Sequence, residues 1–148
     1  MKVAIASDHG GLMIREEIKK LLTDMEIPYE DFGCECAESV DYPDYALPAA
    51  EKVASGEFDR GILICGTGIG MSIAANKVKG IRCALVHDTF SARATREHND
   101  SNMLAMGERV IGPGLALDIA KIWLSTDYQG GRHENRIGKI KEYENKNI

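Results

Sequence analysis

Residues 62–72 read Ile-Leu-Ile-Cys-Gly-Thr-Gly-Ile-Gly-Met-Ser, and this stretch decides the fold. An aliphatic run of this kind is typical of a strand buried inside a sheet, and it ends at Cys65. A glycine loop, residues 66–70, follows at once, and residues 71–78 predict a helix. Backbone amides at the start of a helix attract negative charge. The sequence therefore predicts a thiol beside an anion-binding loop.

The rest of the chain alternates between strands and helices in the same way. Strands are predicted at 2–7, 29–32, 61–65, 82–87 and 103–106, and helices at 12–25, 44–54, 71–78, 89–98, 113–123 and about 132–146. Such alternation predicts a doubly wound α/β fold, a Rossmann-like three-layer sandwich with helices on both faces of a five-stranded parallel sheet. We expect the strand order 2-1-3-4-5 and a single domain over residues 1–148.

Composition narrows the classes of partner. The chain has 148 residues with 18 basic and 23 acidic side chains, so neither nucleic acid nor an anionic membrane surface is expected as a partner. No segment resembles a signal peptide or a membrane span, which predicts a cytoplasmic protein with reduced cysteines. Cys34 and Cys36 form a Cys-x-Cys pair without a second ligand pair, so an ordinary loop is favoured there over a metal site, and Cys83 is predicted to be a small core residue.

The predicted strand order has a switch point between the first and third strands, where ligands bind beyond the carboxyl ends. Asp8 and His9 follow the first strand, and Cys65 with its glycine loop follows the third. Each of these residues could instead have a purely structural role. An aspartate at such a junction often caps amides, and a cysteine that ends a strand is often only a small apolar residue. Their convergence at the switch point favours a functional site.

Two familiar uses of a glycine loop fit poorly. A dinucleotide site normally follows the first strand with the spacing G-x-G-x-x-G, whereas this loop follows the third strand and has a different spacing. A phosphatase loop of the low-molecular-weight tyrosine phosphatase type needs an arginine six positions after its cysteine, and that position is Met71.

His98 is predicted to lie at the opposite edge of the sheet. It ends a helix that leads into a strand, so a five-residue strand, roughly 17 Å long, separates it from Cys65 within one subunit. Arg132 and Arg136 belong to the same lower edge, unless they are only solvated charges on a polar helix. If His98 and Cys65 act on one substrate, His98 must come from a neighbouring subunit, and a twofold dimer would make two equivalent shared sites.

Several ordered motifs together closely resemble ribose-5-phosphate isomerase type B. The resemblance extends over nearly the whole chain. It is carried by Ser7-Asp8-His9-Gly10-Gly11, Asp41-Tyr42-Pro43, residues 65–77 from Cys65-Gly66-Thr67-Gly68-Ile69-Gly70 to Lys77, Glu97-His98-Asn99-Asp100, and Gly130-Gly131-Arg132-His133-Glu134-Asn135-Arg136.

The resemblance implies an isomerase of D-ribose 5-phosphate and D-ribulose 5-phosphate that needs neither nicotinamide nor metal. It implies that Cys65 is the base that moves a proton between C2 and C1 through a cis-enediolate, with Thr67 relaying protons between O1 and O2. His98, with Asp8, is expected to help open the furanose ring. The amides of the glycine loop are then an oxyanion hole, since donors aimed at the developing negative charge stabilise it.

The same resemblance assigns the binding residues. Sugar hydroxyls are expected at Asp8, His9, Tyr42 and Asn99, the reactive end of the sugar at Gly66, Thr67, Gly68, Ile69 and Gly70, and the phosphate at Arg109, Arg132 and Arg136. The implied partners are a phosphorylated sugar and a second copy of the chain. We expect a homodimer with a shared site, in which the helix at about 132–146 is a candidate to pack on the partner; whether dimers pair into tetramers is left open.

Two alternatives stay open on the sequence alone. Galactose 6-phosphate isomerase resembles this family but divides its site residues between two different chains, whereas this chain carries Cys65, His98 and both Arg132 and Arg136. A binding module without catalytic activity on the same fold is the alternative from another functional class.

Overall fold

A parallel sheet of five strands organises the chain, with helices on both of its faces. The structure, a computed structural model, describes residues 1–35 and 37–146. The strands are Val3–Ser7 (β1), Tyr29–Asp31 (β2), Arg60–Cys65 (β3), Cys83–Leu85 (β4) and Met103–Gly107 (β5). The helices are Leu12–Asp24 (α1), Pro43–Ala54 (α2), Ile69–Ala75 (α3), Thr89–Asn99 (α4), Pro113–Ser125 (α5) and Arg132–Lys146 (α6). The predicted α/β class and elements are confirmed.

The order of the strands is 2-1-3-5-4, so the predicted order 2-1-3-4-5 is wrong for the last two strands. Burial explains the exchange. All five residues of β5 are buried, which suits a central strand, whereas β4 has three residues and its Leu85 is 40% exposed, which suits an edge. Right-handed crossovers then place α3 on one face and α4 on the other, because the chain reverses its direction across the sheet after β4.

Two apolar cores lie on opposite faces of the sheet. Alternate residues of a strand point to opposite faces, so Ile62 and Ile64 belong to the core under α1, α4 and α5, while Leu63 and Cys65 belong to the core under α2 and α3. Trp123 is fully buried in the first of these cores. Cys65 therefore ends β3 on the face that α2 and α3 cover, next to the start of α3.

The last helix, α6, packs on α4 and turns little of its surface inward. Of its residues only His133 and Ile137 are buried, whereas Ile140 and Tyr143 are largely exposed. A side-chain contact near its end joins it to the rest of the chain, since the carboxylate of Glu144 accepts a hydrogen bond from the amide of Gly80 at 2.8 Å.

Candidate active site

The turns after β1 and β3 meet at the carboxyl edge of the sheet. These strands are neighbours in parallel register. Asp8 leads into one turn of 3-10 helix, and a Cβ atom placed on Gly11 would lie 2.7 Å from the carbonyl oxygen of Ile64. A Cβ atom on Gly10 would lie 3.0 Å from the amide nitrogen of Gly66. The two glycines let the first turn pack directly on the second, and the predicted convergence at the switch point is present.

Cys65 lies at the bottom of the glycine loop and is only 6% exposed. Its Sγ accepts a hydrogen bond from the amide of Gly68, with 3.0 Å between the two atoms. Gly68 has a φ of +77°, a conformation that glycine adopts without strain. Thr67 is exposed at the rim, and its Oγ1 accepts a hydrogen bond from the amide of Ile69 at 3.2 Å.

The corrected strand order brings the end of β5 beside this loop. The amides of Glu108 and Arg109 donate hydrogen bonds to the carbonyl oxygens of Cys65 and Gly66, at 2.9 and 3.0 Å. The Arg109 side chain then runs past Gly66, since a Cβ atom placed on that glycine would lie 3.4 Å from Arg109 Cδ. Arg109 therefore belongs to the same edge as Cys65, in the same chain.

Asp8, His9 and Tyr42 surround the loop on its other side. The carboxylate of Asp8 accepts the amide proton of Gly10 at 2.8 Å, so the capping role is present. His9 Nδ1 accepts a hydrogen bond from the amide of Val40 at 3.1 Å, so a neutral imidazole carries its proton on Nε2. The Tyr42 ring lies against Gly70, where a Cβ atom would be 2.7 Å from two ring carbons.

A buried arginine joins two chain segments on this side of the loop, and no pattern in the sequence indicates it. Arg15 lies on the apolar face of α1 and is 4% exposed. It donates hydrogen bonds to the hydroxyl oxygen of Ser7 at 2.8 Å and to the carbonyl oxygen of Cys34 at 2.6 Å, and it lies 3.4 Å from a carboxylate oxygen of Asp31. The end of β1 is thereby joined to the segment that leads to Tyr42.

The remaining predicted site residues lie at the amino ends of the strands, at the edge of the sheet opposite the carboxyl ends where Cys65 lies. Asn99 ends α4, directly after His98, and the chain reaches β5 a few residues later, next to the start of β3. Arg132 and Arg136 are exposed in the first turns of α6. The length of β3 alone places this edge about 17 Å from Cys65. Within one chain the structure does not bring the two groups together.

His98 is held in a defined position. Its ring stacks on that of His133, a side chain that the motifs contain but whose role they do not indicate. The turn after it is fixed by Arg96, which donates to the carbonyl oxygen of Ser101 at 2.6 Å and to the carboxylate of Asp100 at 2.9 Å. Arg82 donates to the carbonyl oxygen of Asn99 at 2.9 Å. A cavity of about 430 Å³ adjoins Asn99 at this edge.

The described part of the chain holds neither a cluster of side chains suited to a metal ion nor a helix suited to cross a membrane. No group of three or more histidine, cysteine, aspartate or glutamate side chains is placed to hold a metal ion among residues 1–35 and 37–146. The Cys-x-Cys alternative involves Cys36, which lies outside the described residues. No helix within those ranges has the length and apolar character needed to cross a membrane. Burial raises the pKa of Cys83 to about 12, as suits a residue that packs against a core.

Known proteins resemble the chain over its whole length. The model of the ribose/galactose isomerase family matches residues 3–140. The chain is 75% identical to the putative sugar phosphate isomerase YwlF of Bacillus subtilis strain 168, and the match covers both chains completely. It is 47% identical to ribose-5-phosphate isomerase B of Escherichia coli K12, over 94% of this chain and 93% of that one. The structure of ribose-5-phosphate isomerase B from Clostridium thermocellum covers 100% of both chains with a TM-score of 0.98 at 56% identity.

The fold, the site and these relatives define an aldose–ketose isomerase. More particularly, the chain belongs to the ribose/galactose isomerase family.

Proposed function

We propose that the protein interconverts D-ribose 5-phosphate and D-ribulose 5-phosphate, with Cys65 as the base. The observation that carries the proposal is the sulfur of Cys65, which accepts a hydrogen bond from the Gly68 amide at the bottom of the glycine loop. A base beside backbone N–H groups at the start of a helix suits the removal of a proton next to a carbonyl group. The relatives named ribose-5-phosphate isomerase B support the choice of substrate.

The chemical step needs only groups of the chain and the sugar. The Cys65 thiolate takes the C2 proton of the open-chain aldose, and the electron pair of that C–H bond moves into the C1–C2 bond while O1 becomes negatively charged. The loop amides stabilise the resulting enediolate. Thr67 relays a proton from O2 to O1, and Cys65 returns its proton to C1, which leaves a ketone at C2. In this scheme the proton is moved within the substrate and no cofactor takes part.

The surrounding side chains orient the sugar. Asp8, His9 and Tyr42 lie around the loop and supply hydrogen-bonding groups for hydroxyls. Arg109 borders the same loop, and its guanidinium group suits a phosphate oxygen. Binding from several sides holds C2 against Cys65, which is how positioning lowers the barrier.

A second subunit completes the site in this proposal. His98, which is proposed to help open the ring together with Asp8, and Asn99, Arg132 and Arg136 belong to the edge that lies about 17 Å from Cys65 in the same chain. A twofold homodimer brings that edge of one chain to the carboxyl edge of the other. The largely exposed helix α6 supplies both Arg132 and Arg136 and is the element proposed to pack on the partner.

Replacement of the proposed base tests the chemistry. We expect Cys65→Ala to lower kcat for ribose 5-phosphate by about 10³-fold, because a general base contributes on that scale. Cys83→Ala is the matched control, since it removes a thiol from the start of β4 and should leave kcat within about two-fold. Binding of ribose 5-phosphate by the Cys65→Ala protein, followed by calorimetry, should persist. Unchanged turnover in Cys65→Ala would exclude this role.

Subunit mixing tests the shared site. Cys65→Ala and His98→Ala are each expected to be inactive, but a mixed dimer contains one site with both side chains intact. An equal mixture with random exchange should recover about a quarter of the wild-type activity. Absence of recovery, when labelled subunits show that exchange has occurred, contradicts a site built from two chains.

Steady-state kinetics with ribose 5-phosphate, allose 6-phosphate and galactose 6-phosphate distinguishes the remaining alternatives. We expect the highest kcat/KM for ribose 5-phosphate. A higher value for galactose 6-phosphate would favour the other branch of the family. Binding of these sugars without turnover of any of them would favour a binding module.

A further inference from the structure

A histidine outside the proposed catalytic set closes the carboxyl end of β5. His87 follows β4 by two residues, and its Nε2 accepts a hydrogen bond from the amide of Gly107 at 2.9 Å. The last backbone bond between these strands is the one from Val86 N to the carbonyl oxygen of Ala105. The next amide of β5 that points to β4 is that of Gly107, so an imidazole nitrogen replaces the carbonyl oxygen that would continue the ladder.

Gly107 is the support on which the glycine loop rests. A Cβ atom placed on Gly107 would lie 2.5 Å from the backbone carbon of Thr67, so the two backbones are in direct contact. The next two amides, of Glu108 and Arg109, hold the carbonyl oxygens of Cys65 and Gly66. The three consecutive amides of residues 107–109 therefore donate in turn to His87, Cys65 and Gly66.

The bond requires a neutral imidazole with its proton on Nδ1, because a protonated ring has no acceptor. The neighbouring carboxylates accept hydrogen bonds from backbone amides and not from this ring. Asp88 is adjacent, but its carboxylate accepts the amide proton of Ser91 at 2.6 Å, and Glu108 turns its carboxylate to the amide of Ile14 at 2.8 Å. Arg109 lies along Gly66, and the Cys65 thiol faces Gly68. Burial lowers the pKa of His87 and outweighs the opposing effect of Asp88.

We propose that His87 is a positioning residue for the isomerase reaction: by accepting the Gly107 amide proton, its neutral imidazole holds the support that aligns Thr67 and the loop amides with Cys65. It touches no reacting atom. The inference rests on the proposed function, because it assigns the loop amides to the enediolate.

Two variants of equal side-chain length separate the hydrogen bond from the packing. Glutamine ends in an oxygen that can accept the Gly107 proton, whereas methionine ends in a methyl group that cannot. We expect kcat of His87→Gln to stay within about two-fold of wild type at neutral pH and kcat of His87→Met to fall about ten-fold, because small misplacements of catalytic groups are costly. KM should change less than kcat. Equal activity of both variants, or equal loss in both, overturns the proposal.

The pH profile of His87→Gln gives a second test that needs no destabilised variant. In wild type, protonation of His87 removes the acceptor, and because burial lowers the pKa of His87, kcat should fall at pH values below the ordinary histidine pKa of about 6.5. Glutamine does not titrate. The ratio of kcat for His87→Gln to that for wild type should therefore rise as the pH falls from about 7 to 5. A ratio that stays constant with pH contradicts the proposal.

A measurement without substrate keeps the inference separate from the isomerase assignment. Nitrogen chemical shifts of the His87 ring should report a proton on Nδ1 at neutral pH, and exchange of the Gly107 amide should accelerate as that ring becomes protonated. If these signals appear but wild type isomerises no sugar phosphate, the proposed function fails and the structural bond remains. If the ring carries its proton on Nε2, the inference fails whatever the activity.

Discussion

The rings of His98 and His133 are stacked, with centroids 4.4 Å apart and planes inclined by 18°. This contact joins the end of α4 to the first turn of α6. The pKa of His133 is lowered, first by burial and then by the positive charges of His98, Arg132 and Arg136. A neutral His133 is therefore the ring that supports His98 at neutral pH.

The lowered pKa of His133 makes stability depend on pH. The unfolded chain binds a proton at this residue below about pH 6.5, whereas the native chain resists it, so the free energy of unfolding contributed by this group falls as the pH drops through that range. The variant His133→Phe keeps a ring that can stack on His98, but this ring does not titrate. We expect the free energy of unfolding, measured with urea, to fall less between about pH 7 and 5 in His133→Phe than in wild type. Identical slopes would contradict this.

The role proposed for His98 predicts a dependence on the form of the sugar. D-erythrose 4-phosphate carries its phosphate on O4 and so lacks the hydroxyl group needed to close a furanose ring. With it, help in ring opening is not required. We expect His98→Ala to lower kcat/KM about 10²-fold for ribose 5-phosphate and less than about ten-fold for the tetrose, measured with an assay of the ketose. Cys65→Ala is the control and should impair both sugars alike. Equal losses in His98→Ala would exclude a ring-opening role.

Gly68 is expected to be essential for reasons of space as well as of backbone conformation. Its φ is +77°, and a Cβ atom would lie 2.8 Å from the backbone carbon of Met106. Gly56 has a φ of +83° with nothing within 4 Å of such an atom. Gly56→Ala should therefore cost only about 1–2 kcal/mol of unfolding free energy and leave kcat unchanged.

Gly68→Ala should lose more stability than Gly56→Ala and also lower kcat at least about ten-fold, because the amide that faces Cys65 must move. Urea unfolding and initial rates measure the two effects. If the two variants differ neither in stability nor in rate, the close contact at Gly68 does not matter.

Most of the fold was readable from local patterns. Apolar runs such as residues 62–65 and helical spacings such as that of Ile14, Ile18 and Leu22 arise from burial on one face, which the sequence records directly. The order of β4 and β5 depends instead on which strand is covered on both sides by helices that are distant in sequence. Alternation and handedness alone allow either order, because a crossover can skip a strand.

The site residues likewise fall into those that local sequence patterns predict and those that depend on contacts between distant elements. Asp8, His9 and Cys65 were predictable because each follows a strand at the switch point. The contact of Arg109 with Gly66 depends on β5 lying beside β3, which the predicted order excluded. Arg15 and His87 bind backbone groups of other elements through side-chain atoms, and such bonds leave no periodic signal in a sequence.

Arg15 is expected to couple stability to substrate binding. Arg15→Met retains the length of the side chain but removes the hydrogen bonds that Arg15 donates to the buried carbonyl oxygen of Cys34 and to the hydroxyl of Ser7, which should cost about 2–3 kcal/mol of unfolding free energy. Because the freed segment leads to Tyr42, we expect KM for ribose 5-phosphate to rise several-fold while kcat changes less.

Lys20→Met is the matched control for this variant, because it removes an ion pair with Glu17 from the same helix at a side chain that is 71% exposed. Such a pair contributes little, so its effect on unfolding should stay within about 0.5 kcal/mol and KM should not change. A fall in kcat of Arg15→Met at constant KM would show instead that Arg15 acts on the alignment of the Cys65 loop, through Ser7 at the end of β1, and not on the segment that carries Tyr42.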